Sequence, residues 1–275
     1  MRTSSNPVFR NLPKTEGGYA GFGSGPAQAA PQKGQPQYGQ PQQYQQPQPY
    51  TTTRSMTIDD VVTKTGMTLG VLIAAAVVSA LFCARNPALI GPLAAGGAII
   101  GLVLVMVAIF GRKMNAGIVL AYAAAEGVAI GAFSYLFGNI YCSAIVGQAV
   151  IGTVGVFAAM LVVYRTGAVR VTPKFTKMII GGIVGVLVLM IANLVGNLVF
   201  HADMGLRSGG PLAIGFSLLC IALAAFSFML DFDQADKLIR AGAPAQAAWG
   251  VALGLTVTLV WLYIEILRLL SYFRS

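Results

Sequence analysis

The chain has 275 residues, 56% of them hydrophobic and only 10% charged, with 18 Lys and Arg against 9 Asp and Glu for a formal charge of +9. That balance excludes an ordinary soluble domain and places the chain among polytopic membrane proteins. The basic residues fall in short gaps between apolar runs, which argues against a nucleic-acid partner and for a lipid bilayer.

Residues 1 to 55 form the first unit. Gln, Pro, Tyr and Gly dominate it, as in Gln35-Pro36-Gln37-Tyr38-Gly39-Gln40, with few aliphatic residues to bury. Such a composition cannot offset its ordering entropy, so a disordered tail is expected. No charged segment, apolar core and cleavage site open the chain, so the tail is expected to stay in the cytoplasm. Ser4 to Asn11 is less repetitive and reads either as a short docking motif or as tail without a role. Thr57 and Asp60 then offer a helix cap and its third-position partner, starting a helix expected on the inner surface that feeds the first span.

Residues 56 to 275 carry seven apolar runs, roughly 66 to 84, 88 to 110, 115 to 137, 142 to 164, 176 to 200, 210 to 231 and 246 to 270. Each is long enough to cross the hydrocarbon core as a helix, and the expected fold is all-α, a seven-helix transmembrane bundle. Arg112 and Lys113 occupy the second gap, Arg165, Arg170, Lys174 and Lys177 surround the fourth, and Lys237 and Arg240 occupy the sixth. The odd gaps carry only Arg85 and Arg207. Even gaps are therefore inside, with the N-terminus in the cytoplasm and the C-terminus outside.

Gly97/Gly101, Gly127/Gly131, Gly181/Gly185 and Gly250/Gly254 repeat at a spacing that puts both glycines on one helix face, and read as packing seams. Asn193 and Asn197 share the spacing and read as interhelical glue or as the lining of an ion path. Cys83, Cys142 and Cys220 are isolated, without metal or redox spacing. His201, beside Asp203, falls in an outer gap.

The intramembrane acids carry the functional signal, because a carboxylate in hydrocarbon must be neutral, paired or facing a polar cavity. Glu126 lies midway along the third run, either bonded to a neighbouring helix or on a transport path. Asp231 closes the sixth run, followed by Asp233 and Asp236, and reads as a site or as an acid reaching water at the helix end. Glu265 lies inside the seventh, with Arg268 one turn on as an intrahelical partner.

Glu126-Gly127, Asp231-Phe232-Asp233-Gln234 and Leu262-Tyr263-Ile264-Glu265-Ile266-Leu267-Arg268, in this order within seven runs, resemble the Bax inhibitor-1/YccA family over about residues 57 to 272. The tail, with Asn6-Pro7-Val8-Phe9-Arg10, resembles that of a bacterial branch. The resemblance implies a pH-sensitive calcium leak in the bacterial cell membrane, with Asp231 and Glu265 as an acidic dyad. It also implies a basic partner from the second helix. Here the second run has no internal Lys or Arg, which leaves Arg112 and Lys113 at its inner end, and of these Arg112 is named as the gating base.

Two close carboxylates in low dielectric share a proton and titrate together, and calcium is a hard cation that takes such oxygens. This makes Asp231, Glu265 and Asp233 the candidate ion ligands and Asp231, Glu265 and Glu126 the candidate proton-sensing path. Glu265 stands where many relatives have Asp. Hairpin geometry adds a difficulty: a turn at Gly242-Ala243-Pro244 sets Asp231 opposite about residue 256, some 13 Å of helical rise short of Glu265.

No enzyme is expected. The Gly-x-Gly-Asp signature of intramembrane aspartyl proteases is missing, and Gly215-Phe216-Ser217 has no His in any run to serve as base. No cofactor is expected beyond a transported calcium. Two alternatives stand beside the leak. One is a membrane interaction protein whose tail engages a membrane-anchored protease or a stress response, as the bacterial relatives suggest. The other is a proton-coupled cation exchanger.

Overall fold

Each apolar run becomes one helix in the computed structural model, which describes residues 54–111, 114–200, 205–206 and 209–274. In order these are α1 Ile58–Arg85, α2 Ile90–Phe110, α3 Ala116–Ile140, α4 Ala144–Thr166, α5 Pro173–Phe200, α6 Pro211–Arg240 and α7 Ala248–Tyr272, with short 3-10 turns at Pro87–Leu89 and Ala245–Ala247 leading into α2 and α7. All seven are long and apolar enough to cross a membrane, so the chain is an all-α, multi-pass membrane protein. The helix ends follow local chemistry. Thr57 and Asp60 form a capping box, Asn115 caps α3, Pro173 and Pro211 open α5 and α6, and Gly167 and Gly242 end α4 and the α6 corner at φ 68° and 66°.

Two boundaries differ from the sequence reading. The surface helix expected before the first span is instead the first turns of one continuous 28-residue α1. The sixth helix does not stop at Asp231 but runs nine residues further, to Arg240. The extension is charged rather than apolar, so hydropathy ends too early. Asp233 with Lys237 at 2.5 Å and Asp236 with Arg240 at 2.9 Å form i,i+4 pairs that support it. Asp231 thus lies about 14 Å of helical rise inside the end of α6.

Glycine seams set the packing on one side of the bundle. A methyl at Gly97 would lie 2.7 Å from the Ala125 carbonyl of α3, and methyls at Gly127 and Gly131 would strike the Leu72 and Ala76 carbonyls of α1. Close backbone approach at these points joins α1, α2 and α3, with Ser79 Oγ donating to the Val128 carbonyl at 2.7 Å. Gly181 and Gly185 face open space, so the expected seam on the fifth helix is absent. The contact there is made by Gly182, against Leu223.

Helix α7 is the axis of the bundle, packed by α1, α3, α4 and α6. Buried residues make up 67% of its apolar window, against 11% for α5, which rests mainly on α6. At one end the residues before α1 clamp the α6–α7 turn. Met56 N–H donates to the Ala243 carbonyl at 2.7 Å and Ala245 N–H to the Arg54 carbonyl at 2.8 Å. Lys64 Nζ donates to the Ala245 carbonyl and lies 5.5 Å from the Trp249 ring centroid, a cation–π contact. Met56, only 2% exposed, fills the core beneath this clamp.

Candidate functional site

On α6, residues 227, 230, 231, 234 and 237 recur at helical spacing and turn one stripe toward α5 and α7. Because α5 stands off from α7, that stripe lines a cleft of about 570 Å³ rather than a packed seam. Ile180, Ile183, Leu230, Val257 and Trp261 form its apolar part. Asp231, Thr258, Thr176, Asp233, Gln234 and Lys237 bring oxygens and one ammonium into it.

Asp231 is half-buried beside Thr258, whose hydroxyl donates to its Oδ2 at 2.8 Å across the α6–α7 interface. Gly254, one turn away on α7, lies beside the same carboxylate: a methyl there would sit in ordinary contact, 3.6 Å from Asp231 Oδ1. The Thr258 hydroxyl is also 3.1 Å from the Gly254 carbonyl. One hydroxyl proton therefore has two acceptors, and the side chain can receive a hydrogen bond from a protonated carboxyl while turning its own proton to Gly254. The contact can survive either protonation state of Asp231; only the charge changes.

Glu265 is 1% exposed and does not line the cleft. Its Oε1 accepts from Arg268 Nη1 at 2.7 Å, an i,i+3 pair on α7, while Oε2 has no hydrogen-bond partner among the described residues. Thr258 and Glu265 are seven residues apart, two turns and about 10 Å along one face of α7. Asp231, held from α6 against Thr258, and Glu265 therefore lie about two turns of α7 apart and are not hydrogen-bonded to each other. Asp233 is in the cleft but is bridged by Lys237.

Glu126 packs elsewhere, at the α2–α3 interface, with its Oε2 against Gly101: a methyl there would lie 2.5 Å from that atom and would turn the carboxylate aside. Arg112 and His201, like the tail, lie outside the described residues. Among the described residues no three His, Cys, Asp or Glu side chains gather as a metal-binding group. The oxygens along the cleft are hard donors of the type calcium accepts.

Against known proteins, the family model described as Bax inhibitor 1 like matches residues 6–275. The chain belongs to the Bax inhibitor 1 like family. No curated protein matches it. In this Bax inhibitor 1 like chain the sequence pointed to Asp231, Asp233, Glu126 and Glu265 but not to Thr258, Thr176 or the cleft. A threonine in an apolar helix carries no signal by itself; only the hairpin register, which put Asp231 opposite about residue 256, came close to its partner.

A single cysteine is exposed among the described residues, Cys142, between α3 and α4; Cys83 and Cys220 are buried. The Ala144 N–H, with Arg274 and Ser143 adding, holds the Cys142 thiol below its usual range.

Proposed function

We propose that this Bax inhibitor 1 like protein is a pH-sensitive cation leak pathway of the bacterial cell membrane, with calcium as the ion carried and Asp231 as the group whose charge gates it. The observation that carries the reading is a half-buried carboxylate at the end of the apolar stretch of α6, at the wall of a cleft that also holds Asp233, Gln234, Thr176 and Thr258. An intramembrane acid facing a cavity, with nothing stronger than one threonine hydroxyl upon it, is the arrangement expected of a proton- or cation-responsive group.

Charged, Asp231 offers a cation oxygens in a low-dielectric wall; protonated, it keeps its bond to Thr258 and withdraws the charge. Glu265 supplies the second acidic station, about 10 Å further along α7. Its buried, unpartnered Oε2 is the atom left to carry a proton, while Arg268 balances the other oxygen. Glu126, on the other side of the bundle, serves the pathway less directly, and Arg112 remains the basic partner proposed from the family pattern. The N-terminus is in the cytoplasm and the C-terminus outside, supported by the cations of the even-numbered gaps. No enzymatic step and no resident cofactor belong to this proposal.

A second reading, control of a membrane protease or another partner through the N-terminal tail, is favoured by the clamp of residues 54 to 56 onto the α6–α7 turn. A partner pulling on the tail would act first on the hairpin that carries Asp231 and Thr258. Calcium flux into liposomes containing the purified chain, with Asp231→Asn beside the wild type, tests the leak reading. Flux that depends on pH in the wild type and not in the variant supports it.

A further inference from the structure

Four cations crowd the junction of α4 and α5. Arg165 lies in the last turn of α4, Arg170 in the connecting loop, and Lys174 and Lys177 in the first turns of α5. All four are exposed, and none forms an ion pair among the described residues. Elsewhere on the described chain the cations without an ion pair, Lys64, Arg85 and Arg274, stand singly, and the other four are paired. Arg54 is paired with Asp60, Lys237 with Asp233, Arg240 with Asp236 and Arg268 with Glu265. The sequence explains the contrast, because no Asp or Glu occurs anywhere between Glu126 and Asp203.

The junction sits where α4 and α5 leave the hydrocarbon. Val162, Met178 and Ile180, on either side of it, expose 60%, 62% and 51% of their surface and so require lipid chains around them. Basic side chains at that depth reach the headgroup phosphates, and the apolar collar fixes them there. A general inward bias of positive charge accounts for cations in this gap. It does not distinguish them from Lys237 and Arg240, which are internally neutralised.

We propose that the α4–α5 junction is a binding surface for anionic phospholipid headgroups, formed by Arg165, Arg170, Lys174 and Lys177. Arginine engages a phosphate through its planar fork, and lysine adds compact charge. The site has a mechanical consequence. Helix α5 rests mainly on α6 and gives Thr176, Ile180 and Ile183 to the wall of the Asp231 cleft. Lipid held by Lys174 and Lys177 anchors the wall at its first turn.

The test needs no ion flux and so stands apart from the leak reading. The full chain is reconstituted in nanodiscs containing phosphatidylglycerol and phosphatidylcholine in equal amounts. After detergent extraction, the retained lipids are identified by native mass spectrometry. The wild type is expected to retain phosphatidylglycerol in preference, and to lose that preference in about 0.5 M salt, where interactions of exposed charges are strongly screened. Each glutamine substitution among Arg165, Arg170, Lys174 and Lys177 should weaken retention about five-fold. The control Arg54→Gln with Arg240→Gln, both at paired cations, should retain lipid as the wild type does.

The four glutamine substitutions combined should abolish the preference; if that quadruple variant does not fold, Arg170→Gln with Lys174→Gln gives the same reading from the loop and one exposed turn. Equal retention of the two lipids by the wild type, or undiminished preference in a folded variant, overturns the proposal. Saturable binding of a polyglutamate peptide without any lipid preference also overturns it, and assigns the surface to an acidic protein instead.

Discussion

The hydroxyl of Thr258 lies 2.8 Å from Asp231 Oδ2, joining the two last helices through the only charged side chain of α6 within its apolar stretch. Valine has the shape of threonine without the hydroxyl. Thr258→Val should therefore leave the carboxyl without its partner and cost about 1–3 kcal/mol. Thr258→Ser should restore most of the loss. Thermal unfolding of both variants in the same detergent checks this, and equal stability of valine and wild type would remove the bond from the account.

Glu265 and Arg268 should behave as a buried pair, which is costly to break from one side and cheap to remove whole. Arg268→Met leaves the 1% exposed carboxylate without its cation, with an expected loss of about 3 kcal/mol. Glu265→Met combined with Arg268→Met should recover much of it. A double-mutant cycle read by unfolding in detergent shows the coupling directly; additive losses would mean the pair contributes no coupling.

The glycine seams make opposite predictions for the same substitution. Gly131→Ala places a methyl against the Ala76 backbone and Gly97→Ala places one 2.7 Å from the Ala125 carbonyl, so both should destabilise the bundle. Gly181→Ala and Gly185→Ala meet open space in helix interiors and should be neutral or raise stability by up to about 1 kcal/mol. Melting curves of the four variants sort them into these two groups.

These contrasts mark what the sequence could reveal. The seven apolar runs, the Thr57 and Asp60 cap and the corner at Gly242 are local, and each follows from residues within a few positions of one another. The hairpin register followed from the corner and the helical rise, which is why residue 256 was close to the observed Thr258. The end of α6 was missed because it is held by charge pairs and not by hydropathy. The cleft was missed because it depends on how far α5 stands from α7, and both helices read alike as apolar runs. The spacing of Gly181 and Gly185 matched that of the true seams, yet nothing in the sequence says which face meets a neighbour. The place of Glu126 against Gly101 depends on the same tertiary information, whereas the Glu265 pair with Arg268 was visible one turn away.

The clamp before α1 predicts a long-range effect of a single residue. Met56→Asp puts a charge into the core beneath the α6–α7 turn and should cost several kcal/mol, on the order of 3. Hydrogen exchange should then rise at the amides of Met56 and Ala245, which form the bridge. Unchanged exchange there would mean that the clamp does not hold the turn.

Cys142 provides a test of orientation with a defined pH dependence. Its thiol is held below the usual range, so the reactive thiolate persists to lower pH than in an ordinary cysteine and fades only as pH falls through that lowered value. Arg274→Gln should move the onset of labelling to higher pH. A membrane-impermeant maleimide applied to intact spheroplasts should label the wild type at this position and not Cys142→Ser, if the α3–α4 gap is outside. Labelling only after the membrane is opened would reverse the proposed orientation.

The central claim is that Asp231 gates cation passage by its charge. Calcium entry into liposomes carrying the purified chain should be measured from about pH 5 to 8 for the wild type, Asp231→Asn and Glu265→Gln. The account predicts flux that changes with pH in the wild type and loses that dependence in Asp231→Asn, which keeps the side chain's shape but has no charge to change. Wild-type protein that passes no calcium at any pH, or an Asp231→Asn variant with an unaltered pH profile, would contradict it.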